Sequence, residues 1–320
     1  MNVQAGTEAV LERLTAELSA VAPGGRTVVT VGKFDGVHLA HADVMRTVIE
    51  RAQAIGATPG ALTFDPLPWV VFNPGKPFHY LCPVDERVAR LKALGLSFAT
   101  AITFSRAVSQ LTAREFLEVL VRTLGMVEFV GGPDAAIGHG REGTGDRLRA
   151  LAEELGVRIV EVPPFRLDGV IVNSSMVRHC LWSGDVERAA RALGRVYTLS
   201  GPVVSGDQRG RQLGFPTANL LPSEHQILPA DGIYSCRVRV DQVRYLAAVN
   251  VGVRPTFGSG LQRLIEAYLL DFDGDLYGKM IEIEFVHRLR GEVRFDGVQA
   301  LVVQMAEDVR QVRERVSLDP

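Results

Sequence analysis

Two different periodicities of hydrophobic positions divide the chain. From residue 26 to about residue 180, short apolar runs alternate with stretches in which apolar residues recur every three to four positions. The apolar runs predict strands and the other stretches predict amphipathic helices. Predicted strands are 27–32, 60–64, 97–104, 126–132 and 157–163, and predicted helices are 38–55, 85–95, 112–125 and 146–156. This alternation predicts an α/β fold with a doubly wound parallel sheet.

The second half of the chain has a period of two instead. Strands are predicted at 197–206, 232–240, 244–252, 263–272 and 279–289, with Gly/Pro turns between them, which is typical of a small antiparallel β-barrel. Helical spacing returns at 298–316 and predicts a terminal helix packed on that barrel. We therefore predict two domains, residues 1–186 and residues 187–320. The boundary between them lies near a predicted helix pair that is interrupted at Ser183-Gly184.

Composition narrows the classes of function. Hydrophobic residues make up 47% of the chain and charged residues 22%, so a core can form. A net charge of −2 gives no dense cationic surface, so no nucleic-acid partner is expected. No apolar run reaches the ~20 residues of a membrane span, and no signal peptide precedes residue 20. Scattered Cys82, Cys180 and Cys236 suit a reducing compartment. We expect a cytoplasmic protein with small-molecule substrates, and a homo-oligomer remains open.

The first chemical pattern is "VGKFDGVHLAH", residues 31–41, between a predicted strand and a predicted helix. His38 and His41 are three residues apart, so they share a face at the start of that helix. Free amides and the positive end of the helix dipole attract anions there, and two imidazoles could stabilise charge on a leaving pyrophosphate. From spacing alone, a pair of surface capping histidines remains an equal alternative. This stretch does not have the GxGxxG pattern of nicotinamide-cofactor sites, and the GxxxxGK[ST] pattern of P-loop kinases occurs nowhere in the chain, so neither class gains support here.

Four segments of the first domain together resemble one family. "GKFDGVHLAH" (32–41) resembles the G-x-FDGVH-x-GH signature of HxGH nucleotidyltransferases, most closely that of bacterial FAD synthetases. "TFDPLP" (63–68), "GHGREG" (138–143) and "NSSMVRHCLWSGDVERAARALGRVY" (173–197) resemble further motifs of those enzymes. The resemblance implies a Rossmann-like domain that transfers AMP from ATP to FMN, which yields FAD and pyrophosphate.

The resemblance also implies roles for particular residues. The phosphates of ATP would be bound by His38, His41, Ser174, Ser175 and Arg178, with His38, His41 and Arg178 acting in adenylyl transfer. The nucleotide-binding loop would comprise Gly32, Phe34, Asp35 and Gly36, and Asp134 would help to hold the flavin nucleotide. The chain departs from the family pattern at Ala40, Leu67, Met176 and Ala135-Ala136-Ile137. These departures remove a hydroxyl, a histidine and an arginine that could contact phosphate or flavin. The alternative that this domain no longer transfers AMP therefore stays open.

The second pattern is "SGDQRGRQLGFPTANL", residues 205–220. Gly206, Gly210 and Gly214 would let backbone amides approach a phosphate chain, and Arg209 and Arg211 add positive charge. Pro216 fixes the entry into a strand, on which residues i and i+2 point the same way. Thr217 and Asn219 would thus present two oxygens to one Mg²⁺. Taken alone, PTAN is more often a turn with a capping pair.

The full string resembles the G-R-x-LGFPTAN motif of riboflavin kinases. The likeness continues through "NVGVRPTFG" (250–258) and "IEAYLLDFDGDLYGKMIEIEFVHRLRGEVRF" (265–295). It implies transfer of the γ-phosphoryl group of ATP to riboflavin, with Glu266 as the general base and Asn250 and Arg254 shaping the flavin or phosphate site. Strand alternation independently puts Glu266 in an apolar row, where partial desolvation suits a base.

The hypothesis is a bifunctional riboflavin kinase/FAD synthetase that requires Mg²⁺, uses riboflavin, ATP and FMN, and makes FMN and FAD. One alternative is a riboflavin kinase whose first domain is a scaffold without catalysis. A second alternative is a flavin or nucleotide sensor without turnover.

Overall fold

The structure is a computed structural model that describes residues 3–206, 213–256 and 260–318, with side chains except those at 3–5 and 253–262. The chain folds into two compact units, Met1–Val172 and Asn173–Pro320. The helix pair at 173–193 belongs to the second unit. The predicted boundary between functional domains, 186/187, remains a prediction.

The first unit consists of helices and strands that alternate along the chain. Its longer elements are α1 (Val3–Ser19), β1 (Thr27–Val31), α2 (Leu39–Ile55), β2 (Thr58–Asp65), α3 (Pro68–Phe72), α4 (Val84–Ala93), β3 (Phe98–Thr103), α5 (Ala113–Leu124) and β4 (Met126–Gly131). They are followed by β5 (Ala136–Ile137), β6 (Gly143–Thr144), α6 (Gly145–Glu154), β7 (Arg158–Glu161), β8 (Arg166–Leu167) and β9 (Val170–Ile171). The predicted strands and helices are confirmed within a few residues at each end.

A parallel sheet in the order β3-β2-β1-β4-β7 forms the middle of the first unit. One apolar cluster covers one face and includes Leu14 and Leu18 of α1, which lie on the apolar side that the sequence predicts for an amphipathic N-terminal helix. The other cluster includes Met45 and Val48 of α2. Helices on both faces bury both sides of the strands, which is why these strands read as apolar runs. The predicted doubly wound sheet is confirmed.

The second unit begins with two helices and continues as strands. The helices are α7 (Ser174–Ser183) and α8 (Val186–Leu193), separated by Gly184 at φ 80°. The strands are β10 (Tyr197–Val204), β11 (Ala218–Leu220), β12 (Gly232–Val240), β13 (Val243–Thr256), β14 (Gly260–Leu269) and β15 (Met280–Arg290), and α9 (Val298–Arg315) follows. β14 ends three residues before the predicted end. Beyond it, Asp271 adopts φ 57°, which no strand residue adopts.

The strands of the second unit close into a barrel in the order β10-β11-β14-β13-β12-β15, and neighbouring strands pair in antiparallel fashion. Alternating residues such as Tyr234, Val238 and Phe285 fill the interior and are almost completely inaccessible. The predicted antiparallel barrel with a terminal helix is confirmed.

Arg290 anchors the terminal helix. Its guanidinium donates two hydrogen bonds, of 2.9 and 2.6 Å, to the buried carboxylate of Asp308 on α9. From the sequence alone Arg290 is interpreted as an ordinary surface charge, and the structure corrects this by pairing it with a buried carboxylate. A bidentate, largely buried pair of this kind fixes geometry as well as charge, and it holds α9 against β15.

Burial also explains the cysteines. Cys82, Cys180 and Cys236 are all free and buried. Burial, followed by the nearby Asp35 and Glu86 carboxylates, raises the pKa of the Cys82 thiol to about 12. All three cysteines are therefore small core residues, which is the usual role of a buried free cysteine. Within the residues that the structure describes, no helix combines the length and the apolar character that crossing a bilayer requires.

Candidate active sites

The loop between β1 and α2 is held in an unusual backbone conformation. Phe34, Gly36 and Val37 have φ values of 44°, 82° and 41°. A branched residue such as Val37 pays about 1–3 kcal/mol for this region of φ, which persists only when the surroundings fix it. Phe34 and Val37 are buried, and the Phe34 ring lies so close to Gly32 that a β-carbon there would sit 2.7 Å from it. The loop is therefore tightly constrained by packing.

His38 and His41 lie together, as their spacing predicted. His38 is the residue that precedes α2, and His41 lies in the first turn of α2. Their rings stack with centroids 3.6 Å apart and planes inclined by 19°, and the Phe34 ring contacts His41 edge-on at 5.2 Å. His38 is buried, so the alternative of two surface capping residues does not describe it.

Electrostatics around His41 favour its neutral form. Burial is the largest cause that lowers its pKa well below the usual value, and His38, Arg87 and Lys33 lower it further. At neutral pH the imidazole is therefore uncharged and can donate one hydrogen bond. Nδ1 of His41 is buried without a hydrogen-bond partner among the described residues.

The end of β4 brings a second loop to the same sheet edge. β4 pairs with β1 in parallel, so the residues that follow each strand emerge side by side. Asp134 lies exposed in this loop, and the Arg141 side chain donates a 3.2 Å hydrogen bond to the Asp134 carbonyl. The divergent residues Ala136 and Ile137 form β5, which pairs with β6. The loop thus keeps an ordered hairpin despite its divergent sequence.

Two exposed aromatic side chains on α3 were missed by the sequence reasoning. Trp69 and Phe72 are 38% and 48% exposed, which is unusual for rings of this size. Trp69 packs on Phe78 at 5.1 Å, and Phe72 contacts Phe104 at 5.9 Å. They follow Leu67, which is buried where the family motif has a histidine. Only the fold reveals that the "WVVF" run (69–72) points rings outward.

Ser174, Ser175 and Arg178 lie on α7 in the second unit, the two serines at its first positions. The Asn173 side chain caps the helix by accepting a 2.9 Å hydrogen bond from the Met176 amide. The cap therefore comes from Asn173, and the departure at Met176 leaves the start of the helix intact.

The barrel aligns three polar residues from three neighbouring strands. Asn219 of β11 is the register partner of Glu266 of β14, and Glu266 is in turn the partner of Asn250 of β13. Directly paired residues have β-carbons about 4.5–5.5 Å apart and point to the same face. The three side chains therefore lie side by side. The neighbours of Glu266 along β14, Ile265 and Ala267, are buried on the opposite face.

Asn219 is held against a glycine. Its side chain is buried, and a β-carbon at Gly206 would collide with the Asn219 amide. Thr217 lies two residues earlier and is half-buried, while Phe215 packs edge-on against Tyr268 at 5.3 Å. Gly206 therefore has a packing role, in addition to any approach to phosphate.

Under the hypothesis that the barrel phosphorylates riboflavin, as its motifs imply, Gly206→Ala should lower that activity about tenfold or more, because the new methyl group must displace the Asn219 amide. Steady-state rates with purified protein measure the effect. Gly297→Ala is the matched control, since Gly297 has open space around it and a φ of 176° that any residue adopts. Equal kinase rates for Gly206→Ala and Gly297→Ala would contradict the packing role.

Two further groups border this face of the barrel. Oδ1 of Asn250 is buried and has no hydrogen-bond partner among the described residues. The Glu292 carboxylate lies directly over Gly252, so a side chain at position 252 would collide with it. Glu292 remains exposed to solvent, as a charged residue in a loop is expected to be, and no local sequence pattern indicates that it folds back over β13.

Several predicted site residues cannot be placed in this arrangement. Arg209, Gly210 and Arg211 lie outside the described residues. The backbone of Arg254 pairs with Gln262 between β13 and β14, and its side chain is outside the described set. Gly214 is exposed with φ 83°, a value that favours glycine.

The donors on this face suit Mg²⁺. In the described part of the chain, no cluster of three or more His, Cys, Asp or Glu side chains could form a protein-only metal cage. Thr217 and Asn219 offer hydroxyl and amide oxygens, and Glu266 lies next to Asn219. Mg²⁺ usually takes one or two protein oxygens and completes its shell with water and substrate phosphates. These residues fit a metal that arrives with a nucleotide.

Comparison with known proteins finds one family for each part of the chain. A riboflavin kinase family model matches residues 193–316, and an FAD synthetase family model matches residues 22–176. Bifunctional riboflavin kinase/FMN adenylyltransferases of Listeria monocytogenes and Escherichia coli strain K12 are each 33% identical to the chain. The alignment with the Listeria protein covers 89% of this chain and 91% of that relative. The alignment with the Escherichia coli protein covers 92% of this chain and 94% of that relative.

A solved structure covers nearly the whole chain as well. It is a Streptococcus pneumoniae protein described as a macrolide-efflux protein, with 29% identity and a TM-score of 0.87. The match covers 94% of this chain and 98% of that protein. The two-part architecture described above is therefore shared with a solved structure.

Proposed function

The chain belongs to the bifunctional riboflavin kinase/FMN adenylyltransferase family, and on that basis we propose which of its residues carry each reaction. The protein phosphorylates riboflavin with ATP to form FMN and adenylylates FMN with a second ATP to form FAD. The observation that carries the assignment is the register of Asn219, Glu266 and Asn250 across β11, β14 and β13.

Glu266 is the general base of the kinase reaction. A primary alcohol such as the 5′-hydroxyl of riboflavin is a weak nucleophile, and a carboxylate that accepts its proton makes attack on the γ-phosphorus easier. Glu266 is half-buried between two asparagines, which can orient the carboxylate without neutralising it. Asn250 and Arg254 lie on the adjacent strand, where they would border the flavin or the phosphates.

Thr217 and Asn219 bind the metal–nucleotide complex. Thr217 Oγ1 and the side-chain oxygen of Asn219 would hold Mg²⁺, which neutralises charge on the ATP phosphates when bound. Gly206 sets the position of Asn219, and the segment with Arg209, Gly210, Arg211 and Gly214 would surround the phosphates. Phosphoryl transfer needs little covalent chemistry, so placing ATP opposite Glu266 is the main task of these residues.

Adenylyl transfer takes place at the β1–α2 loop. Stacked His38 and His41 at the start of α2 would donate hydrogen bonds to the triphosphate and to the departing pyrophosphate. The loop residues Gly32, Phe34, Asp35 and Gly36 keep the pair in place, and the family motif at the start of α7 implies phosphate contacts for Ser174, Ser175 and Arg178. The FMN phosphate itself attacks the α-phosphorus, so no covalent enzyme intermediate is needed.

In this second reaction, two aromatic rings and one carboxylate would bind the flavin. The exposed rings of Trp69 and Phe72 offer an apolar face on which an isoalloxazine ring can stack. Asp134, in the loop after β4, is at the same edge of the sheet as the His38–His41 pair. It would orient polar atoms of the flavin nucleotide, in place of the aromatic and arginine residues that this chain lacks.

The direct test is incubation of the purified protein with riboflavin, ATP and Mg²⁺, followed by chromatographic separation of the flavins. We expect FMN to appear first and FAD to accumulate from it, and removal of Mg²⁺ with a chelator to stop FMN formation. FMN without FAD would identify a kinase whose first unit has lost adenylyl transfer. Unchanged riboflavin would rule out both activities.

A further inference from the structure

Arg87 of α4 is a buried arginine that neither proposed reaction yet uses. Its side chain is completely inaccessible to solvent. Nη1 donates hydrogen bonds to Thr63 Oγ1 at 3.2 Å and to the Phe64 carbonyl at 3.0 Å, whereas buried Nε has no acceptor among the described residues. No described carboxylate forms an ion pair with it. A buried cation that forms no ion pair is costly, so its presence at this position calls for an explanation.

The hydrogen bonds of Arg87 lead directly to the β1–α2 loop. Thr63 Oγ1 accepts from Arg87 and donates its own proton to the Lys33 carbonyl at 2.9 Å. Lys33 is part of the loop that carries His38, and Thr63 and Phe64 lie near the end of β2, the strand that leads to Trp69. One guanidinium therefore connects α4, the end of β2 and the β1–α2 loop.

The segment that leads into α4 supports the same loop from the other side. The Leu81 amide donates a 3.0 Å hydrogen bond to Oδ1 of the buried Asp35, and Leu81 also packs against Gly36. The loop carries left-handed backbone at Phe34 and Val37, which only outside contacts can maintain. Residues 81–87 supply such contacts.

The charge of Arg87 also acts electrostatically on His41 of the histidine pair. It is one of the groups that lower the pKa of His41, after burial and His38 and together with Lys33. The Tyr80 ring, 5.9 Å from the guanidinium carbon, is a weak counterpart for a full charge. A bound triphosphate would be the natural counter-charge for this region.

We propose that Arg87 is a positioning residue for adenylyl transfer, which acts through Thr63 to hold the β1–α2 loop and the end of β2 in the arrangement that binds ATP. Arg87 does not itself touch the reacting atoms. This inference rests on the proposed function of the first unit. It goes beyond that function because Arg87 lies outside every motif that resembles the family.

The experiment compares Arg87→Met, Arg87→Lys and Thr63→Val in the full chain. Thr63→Val has nearly the same shape as the wild type and keeps the Arg87 charge, so it removes the two hydrogen bonds that connect Arg87 through Thr63 to Lys33. Arg90→Met is the matched control, because Arg90 lies on the same helix and forms a partly exposed ion pair with Glu86. For each protein, kcat and KM for ATP are measured in the FMN-to-FAD reaction, and riboflavin phosphorylation is measured in the same preparation.

Arg87→Met should lower kcat/KM for ATP in adenylyl transfer by about 10²-fold, comparable to the loss of one well-placed polar contact. Thr63→Val should lower it about tenfold and add almost nothing in the Arg87→Met background, since both act through one link. Arg87→Lys should recover about tenfold over Arg87→Met. Kinase rates and the Arg90→Met protein should match the wild type.

Three results would overturn the inference. The first is a kcat/KM for ATP in adenylyl transfer that stays within twofold of wild type in Arg87→Met. The second is that the losses from Arg87→Met and Thr63→Val multiply in the double variant. The third is that adenylyl transfer and riboflavin phosphorylation fall equally in all variants. If Arg87→Met fails to fold, the adenylyl-transfer rates of Thr63→Val and Arg87→Lys relative to wild type test the inference instead. A wild-type protein that makes FMN but no FAD would overturn the proposed function of the first unit and this inference with it. An active wild type with an equally active Arg87→Met would overturn the inference alone.

Discussion

Glu266→Gln is expected to reduce FMN formation about 10²–10⁴-fold, the range typical of a lost general base. Glutamine keeps the size and the hydrogen-bonding oxygen of glutamate, so Asn219 and Asn250 retain their neighbour on β14. Only the ability to take a proton from riboflavin is lost. The reduction should therefore appear in kcat, with little change in KM for ATP.

Conversion of added FMN to FAD should be unaffected by Glu266→Gln, because Glu266 lies in the barrel and the stacked histidines lie in the other unit. Glu282→Gln is the matched control. Glu282 is also a barrel-strand glutamate, but it pairs with Arg239 on β12 and not with the asparagines. Both rates are measured by chromatography of flavins. Parallel loss of FMN and FAD formation in a folded Glu266→Gln protein would contradict two separate sites.

His41→Ala is expected to reduce FMN adenylylation about 10²–10³-fold, as the loss of one preorganised donor to developing charge typically does. The imidazole stacks on His38 and contacts Phe34, so the variant loses a phosphate ligand and loosens the neighbouring ring. Riboflavin phosphorylation by the same protein is the internal control. A kinase rate that collapses in a folded His41→Ala protein would argue against independent sites, and unchanged adenylylation would remove His41 from the reaction.

The lowered pKa of His41 gives this variant a pH signature. The folded state keeps the imidazole neutral, whereas the unfolded chain takes up a proton below about pH 6.5. The unfolded state therefore binds more protons as the pH falls, and the first unit loses stability below that pH. His41→Ala removes this loss. The difference in thermal midpoint between wild type and variant should narrow from pH 7 to pH 5, which circular dichroism can follow.

Local sequence determined most of the secondary structure, because its signals act over a few residues. Thr112 and Glu115 predict a capping box, and the structure contains both of its hydrogen bonds at the start of α5. The period of two from Tyr197 onward predicts strands, and those strands close into a barrel. Spacing alone also brought His38 and His41 onto one helical turn, since three residues make nearly one turn.

Other features depended on which distant segments became neighbours, and no local pattern encodes that. Asn219, Glu266 and Asn250 align only because β14 lies between β11 and β13. Arg290 resembles a solvent-exposed charge until the fold brings it to Asp308, and Glu292, which does remain exposed, lies over Gly252 only because of the fold. Arg87 occupies an ordinary helical position in the sequence. Tertiary packing alone buried its charge beneath the β1–α2 loop, because burial depends on what covers a side chain and not on the residues beside it.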